Sequence, residues 1–482
     1  MQSVLRHSRQ HRRLRGVILV GLLVGLLAGG EAATAAAPST AGAEGGRSYS
    51  GTIDGAEFRV EVPERWNGTL VLYSHGYLPT GFPSFGIALT NRPPDRSETE
   101  AWLLEHGYAM AASQFKGGGT GYQVENALHD QPALLDWFDA HVGRPKHTVA
   151  YGQSMGAAIT VLLAERNPDR FAGVATVCGG YDPNGTFNAA LDINFAVKTL
   201  LAPGQDIELV RVTDPERSTQ ALVQAVEQAL TTPQGRARLA LAGAFNNVTG
   251  WYSAHQPKPT DMTEWIRQQA AWIQNAYTVG LGPSARVDLE RKAGGNPSWN
   301  TGIDYSRQLV RSGQEDLVRR AYRAAGLDLR RDLDRLAAAP RIAPDADAVS
   351  YMYRFGVPRG STRVPVVTLH STGDGGAAPD QEDWYRAQVR RSGDPSRLRQ
   401  LYVERGMHCS FSAAEEIVTL RTLFERIDTG RWPDTNPRRL NEAAREPGDS
   451  HQLVLDFGTF QDAPVQPAFT TFTPPQFLRP SR

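Results

Sequence analysis

Cysteine is nearly missing from this chain: 482 residues contain two, Cys178 and Cys409. That scarcity excludes a disulfide-dense mini-scaffold and a cysteine-ligated zinc module. No H-E-x-x-H and no Cys/His cluster occurs, so no metal is expected, and nothing suggests an organic cofactor. Net charge is missing as well. Fifty-one basic residues balance 51 acidic ones, which gives no basis for nucleic acid or an anionic surface as partner. There is no internal repeat. The glycine-rich stretch Lys116-Gly117-Gly118-Gly119-Thr120-Gly121 lacks the strand–GxxxxGK[ST]–helix frame of a phosphate loop.

The one conspicuous apolar run, residues 17–28, is twelve residues long. A spanning helix needs about 20. The run follows a basic stretch (Arg6, Arg9, Arg12, Arg13, Arg15) and precedes Ala33-Thr34-Ala35, an A-x-A cleavage pattern. Residues 1–35 therefore read as a signal peptide, with an uncleaved anchor as the alternative. Arg12-Arg13 leaves the Sec and twin-arginine routes both open. The mature protein is expected to be secreted, with no stable membrane association after cleavage. Residues 36–46, rich in Ala, Gly, Ser and Thr, are expected to be disordered. In an exported protein two thiols suggest one bridge, with two buried free thiols as the alternative.

What is present is a strict alternation of short strands and helices. A hairpin comes first, 48–53 and 56–62 around Asp54-Gly55. Strands follow at 70–73, 108–113, 147–151 and 171–178, separated by helices near 97–106, 124–142 and 157–166. Ser97 and Glu100 form a capping-box pattern at the first of these helices. Alternation of this kind argues for a mostly parallel sheet covered by helices. It stops at Asp182. Residues 182–360 read as a helical cap inserted into the sheet, with helical spacing at 206–212, 218–231, 236–244, 262–277, 314–324 and 330–338. Strands resume at 364–370 and 398–403, and a helix at 413–427. The core is thus 47–181 plus 361–427, and 428–482 reads as an extended tail. The aromatics Trp251, Tyr252, Trp265, Trp272 and Tyr277 read first as packing of the cap and second as a substrate wall.

Gly152-Gln153-Ser154-Met155-Gly156 fits G-x-S-x-G between the strand 147–151 and the helix that follows. Strand, sharp turn and helix are the setting of a nucleophile elbow. Small flanking residues allow the tight turn, and the N–H groups of the new helix face whatever the hydroxyl attacks. Here the chain resembles the α/β-hydrolase superfamily, its esterase- and lipase-like members in particular, over about 50–180 and 362–427. The resemblance implies a mostly parallel α/β sheet with an N-terminal antiparallel hairpin and a Ser-acid-His order of site residues. Asp374, in Gly373-Asp374-Gly375-Gly376 after the strand 364–370, is the expected acid. Asp182, one strand earlier, is its rival. Asp380 reads as a first-turn helix residue. His408, in Gly406-Met407-His408-Cys409 after the last strand, is the expected base. The backbone N–H groups of Met155 and Tyr77 are the expected oxyanion hole, with His75 ordering the loop.

In a sheet ordered as in this superfamily, Cys178 and Cys409 lie at the same end, and a bridge would tie the histidine loop to the sheet. This resembles the disulfide clamp of tannase-like and feruloyl-esterase-like enzymes, with one departure. Those enzymes place the partner cysteine beside the nucleophile, where this chain has Gln153. The resulting expectation is a secreted serine hydrolase that cleaves a small-molecule or polymer-derived carboxylic ester through an acyl-enzyme. An aminopeptidase of the same fold and a non-catalytic binding protein are the alternatives.

Overall fold

The computed structural model describes residues 45–80, 86–91, 98–459 and 461–481. The expected signal peptide, nearly all of the stretch 36–46 and the capping residue Ser97 lie outside the described residues.

The hairpin expected at the start is present. β1 (Arg47–Ile53) pairs antiparallel with β2 (Ala56–Val62). Asp54 and Gly55 both have positive φ, 50° and 86°, the geometry that matches a two-residue turn to the twist of its strands. β3 (Thr69–Ser74), β4 (Ala109–Ser113), β5 (His147–Gln153), β6 (Gly173–Val177), β7 (Val366–Gly373) and β8 (Leu398–Gly406) complete the main sheet. Its order is β1-β2-β4-β3-β5-β6-β7-β8. Every pair from β4·β3 to β7·β8 is parallel. The crossovers among the first of these strands are α1 (Glu98–Glu105), α2 (Val124–His141) and α3 (Met155–Arg166).

Both faces of the sheet are dry. On β3, Leu70 and Leu72 join one apolar cluster while Val71 and Tyr73 join another. The side-chain period of two thus feeds two cores at once, as a sheet covered on both sides requires.

Between β6 and β7 the chain forms nine α-helices and no strand: α4 (Pro183–Leu201), α5 (Pro215–Leu230), α6 (Pro233–Ala244), α7 (Met262–Trp272), α8 (Pro283–Ala293), α9 (Tyr305–Arg311), α10 (Glu315–Ala324), α11 (Leu329–Ala338) and α12 (Ala346–Phe355). A π-helical turn (Ile273–Gly280) extends α7. Ile193, Val197, Leu222, Leu241, Ile266 and Tyr277 belong to a separate apolar cluster inside this insertion. The helix expected over 206–212 is not formed. Ile207 and Leu209 are buried in alternation with half-exposed or exposed neighbours, Lys198 donates to the Ile207 carbonyl, and Arg211 turns the chain at φ 50°.

After β7 come α13 (Asp380–Ser392), β8 and α14 (Ala413–Thr429). The tail is only partly extended, which corrects the reading of 428–482. Asn436 caps α15 (Pro437–Arg445) through its side chain, with Pro at the first helical position. Leu440 and Ala444 of α15 are buried in the cluster on one sheet face. β9 (Leu453–Asp456) and β10 (Gln461–Pro464) form a hairpin, and β11 (Phe469–Thr470) adds to the edge of β8. Phe477, Leu478, Arg479 and Ser481 are then buried. Ser481 donates to Asp182 from both its backbone and its hydroxyl. Arg479 forms an ion pair with the buried Asp192 of α4 and donates to the Trp299 carbonyl at 2.6 Å.

Candidate active site

Ser154 sits between β5 and α3 with φ 53° and ψ −117°, a conformation that costs a non-glycine residue free energy. The flanking glycines make it possible. A Cβ on Gly152 would lie 2.1 Å from Thr160 Oγ1 and 2.2 Å from the Gly156 carbonyl. One on Gly156 would lie 2.0 Å from the Ser74 carbonyl at the end of β3. The turn is held by Ser154 N–H donating to the Val177 carbonyl (3.0 Å) and Gly180 N–H donating to the Ser154 carbonyl (3.1 Å).

The structure brings the three expected side chains together. His408 Nε2 is 2.9 Å from Ser154 Oγ, and His408 Nδ1 is 2.6 Å from Asp374 Oδ2. Asp374 is fully buried at the end of β7. Its other oxygen, Oδ1, accepts the N–H groups of Gly376 (2.8 Å) and Ala377 (3.1 Å). With both carboxylate oxygens engaged, the side chain has one orientation available. The rival Asp182 is elsewhere: its carboxylate caps α4 through Gly185 N–H and accepts from Ser481. Burial raises its pKa to about 6, against which those hydrogen bonds pull down. Asp380 opens α13, as expected, but is buried, and that burial raises its pKa well above the ordinary carboxylate value.

Cys178 and Cys409 are joined, with Cα atoms 5.2 Å apart. The bridge runs from the residue after β6 to the residue after His408, and Cys409 Sγ lies 3.3 Å from His408 Nε2. Cys178, Met407 and Cys409 all have positive φ (47°, 72° and 55°), so the histidine loop is a strained turn pinned at its tip. Tyr77 and Met155 line the same cavity as Ser154 and His408. Gly76 comes so close to the elbow that a Cβ there would be 3.1 Å from Ser154 Cβ. His75 stacks on Phe115 at 4.4 Å, and burial lowers its pKa, so it fills the loop as a neutral ring.

The cavity above Ser154 measures about 190 Å³. The insertion contributes Pro183, Thr186, Phe187, Ala276, Gly280 and Leu281 to its lining. Trp251, Trp265 and Trp272 do not line it. They stand where glycines leave room: Trp251 against Gly373 and Gly406, Trp272 against Gly375, Trp265 against Gly250. Two of the three therefore brace the loop that carries Asp374. Asn184 and Asn247, each the first residue of an N-x-[ST] pattern, are buried and donate inside the protein.

One group was not anticipated. His370, the last residue of the expected strand 364–370, is fully buried between Glu382 and Asp374. A histidine four residues before the expected acid was the signal available. Among the described residues, the side chains that come close enough to share a metal ion are Cys178, His408 and Cys409. The disulfide removes the two thiolates such a site would need. No helix among the described residues is long and apolar enough to cross a membrane.

Residues 93–275 match the Esterase family model. The chain is 29% identical over 437 residues to an o-phthalyl amidase of Xanthobacter agilis, covering 84% of this chain and 92% of that protein. Among solved structures it is similar to an esterase from Aspergillus oryzae (13% identity, 80% of each chain, TM-score 0.39). It is also similar to feruloyl esterase B from the same organism (13% identity, 81% and 82% of the chains, TM-score 0.38). A mostly parallel sheet of this order, an elbow serine between its fifth strand and third helix, and an esterase-family match across that elbow give this chain an α/β fold similar to that of esterases and support a hydrolase.

Proposed function

We propose that this protein is an exported serine hydrolase that cleaves carboxylic esters. The observation that carries the reading is the continuous hydrogen-bonded line from Ser154 Oγ through His408 to Asp374 at the wall of an apolar cavity. In this reading Ser154 Oγ attacks the ester carbonyl and His408 Nε2 accepts its proton. Asp374 keeps the Nδ1 proton directed at itself and stabilises the imidazolium that forms. The N–H groups of Met155 and Tyr77 hold the developing oxyanion. His408 returns the proton to the departing alcohol, leaving an acyl-Ser154. Water, deprotonated by the same imidazole, then releases the acid.

The leader-like N-terminus and the disulfide support export. A second reading, amide hydrolysis, is favoured by the amidase among the relatives, which matches 84% of this chain. The same machinery serves both, and they differ in leaving group. Matched aryl esters and anilides of one acyl group, offered to the mature protein, separate them. The ester reading expects the ester to be turned over and the anilide to lag by more than its intrinsic inertness. An anilide cleaved as readily as the ester would replace it with the amidase reading. A fluorophosphonate should label Ser154 stoichiometrically, and labelling at another serine would reject both.

A further inference from the structure

We infer that the acyl group taken by this site is a single uncharged ring, or a branched chain of the same bulk. The inference deepens the serine-hydrolase reading and rests on it. The cavity that opens on Ser154 and His408 measures about 190 Å³. A dry protein cavity of ~150 Å³ accepts one benzene ring, and the space above Ser154 is of that order. Its walls are flat and apolar. Tyr122 and Phe187 are almost completely buried and meet edge to face at 6.2 Å between ring centres. Met155, Pro183 and Leu281 line the same space. Besides Ser154, the lining residues that carry a hydroxyl are Tyr77, Tyr122 and Thr186, and that of Thr186 donates to the Asp182 carbonyl and accepts from Gln381. No Lys or Arg is among the lining residues, so a charged acyl group would be desolvated without a partner.

The test uses 4-nitrophenyl acetate, butyrate, benzoate, octanoate and hydrogen phthalate with the full mature protein. Benzoate is expected to exceed octanoate and the phthalate monoester at least ten-fold in kcat/KM. Phe187→Ala should move the optimum toward octanoate while fluorophosphonate labelling of Ser154 persists. If that variant does not fold, Leu281→Ala gives the same reading from the other wall. A flat or octanoate-led profile, or a preference for the phthalate, with Ser154 still labelled, overturns the pocket inference alone. Absence of labelling overturns the serine-hydrolase reading beneath it.

A different observation concerns the acid. His370 Nε2 lies 2.9 Å from the Ala377 carbonyl and 3.6 Å from Asp374 Oδ2, and Nδ1 lies 3.2 Å from Glu382 Oε1. A carbonyl oxygen only accepts, so Nε2 bears a proton. Glu382 also accepts from Thr368 (2.8 Å), Gln400 (2.5 Å) and Tyr181 (3.2 Å). With these donors already directed at it, Glu382 faces Nδ1 as an acceptor, so Nδ1 bears a proton too. His370 is thus an imidazolium between two carboxylates. We propose that His370 is a positioning residue whose charge offsets that of Asp374 and so sets the acid limit of the site.

The groups that face His370 are Glu382 and, more distantly, Asp380 from α13, and Asp374 from its own loop. Tyr181, from the segment after β6, reaches it through Glu382. Burial pulls the His370 pKa down, and the contributions of Glu382 and Asp374 outweigh it, for a net rise. With His370→Gln, Asp374 acts on His408 unopposed. The acid limb of the kcat/KM profile should then move up by about one pH unit, with the alkaline plateau retained. A uniform loss at every pH, with no displacement of the limb, overturns the proposal. If the variant fails to fold, histidine-selective 15N spectra of the unaltered protein decide. One ring should stay doubly protonated above the pH at which a free imidazole loses its proton, and its absence refutes the assignment.

Discussion

Ser154, His408 and Asp374 are joined by two hydrogen bonds, so removing any one should be felt by all. Ser154→Ala should lower turnover on the order of a million-fold with an unchanged melting temperature, leaving only what binding and the oxyanion donors supply. Asp374→Asn should cost roughly four orders of magnitude, because an amide favours the wrong imidazole tautomer. Asp182→Asn should leave turnover nearly intact. If Asp182→Asn proves the more damaging in a direct kinetic comparison, the acid has been misassigned. Asp182 carries a separate expectation. Its pKa is about 6 in the folded protein against an ordinary 3.8, so the native state binds the proton more tightly than the unfolded chain. Stability from this group is full below pH 4, falls as pH rises through the window to 6, and stays reduced above it. The cost is on the order of 3 kcal/mol. Urea titrations of wild type and Asp182→Asn across that window should diverge in this direction.

Elements, rather than single residues, decide how much of this was readable. The elbow was legible because its causes are local: two glycines four residues apart, each with a backbone or hydroxyl oxygen where its Cβ would be. The hairpin was legible for the same reason, Asp54-Gly55 being a turn in its own right. α4 went unread because it is buried nearly all round, which leaves no amphipathic stripe to detect. α15 is capped by Asn436-Pro437, a signal that was available and was outweighed by the proline-rich composition around it. His370 and Glu382 are twelve residues apart and acquire meaning only when α13 packs beneath β7. The disulfide was anticipated on the superfamily's strand order, and the structure realises it between the ends of β6 and the loop after β8. Its ends are 231 residues apart in sequence. The chain-entropy treatment gives about 5 kcal/mol for a loop of that size as an upper figure. Double replacement of both cysteines by alanine should lower the urea midpoint. It should also reduce activity before unfolding begins, because the strained loop behind His408 is released. Two alkylatable thiols in the unreduced, denatured protein would refute this.

On the scale of the whole molecule, residues 479–481 add buried polar contacts at the start of the insertion. Arg479 reaches Asp192 of α4, and Ser481 reaches Asp182 ahead of it. A chain ending at Gln476 would leave two buried carboxylates stripped of these donors. Breaking a buried pair typically costs 3–5 kcal/mol, so that truncation should lower the melting temperature by several degrees and raise protease sensitivity in α4. An unchanged melt would show that these contacts contribute nothing. The same arrangement dictates an order of events. Ser481 meets its partner 299 residues after that partner was made. During synthesis the elbow and α4 are therefore made long before the segment that supplies these contacts. Until that segment is made, Asp182 and Asp192 lack these partners.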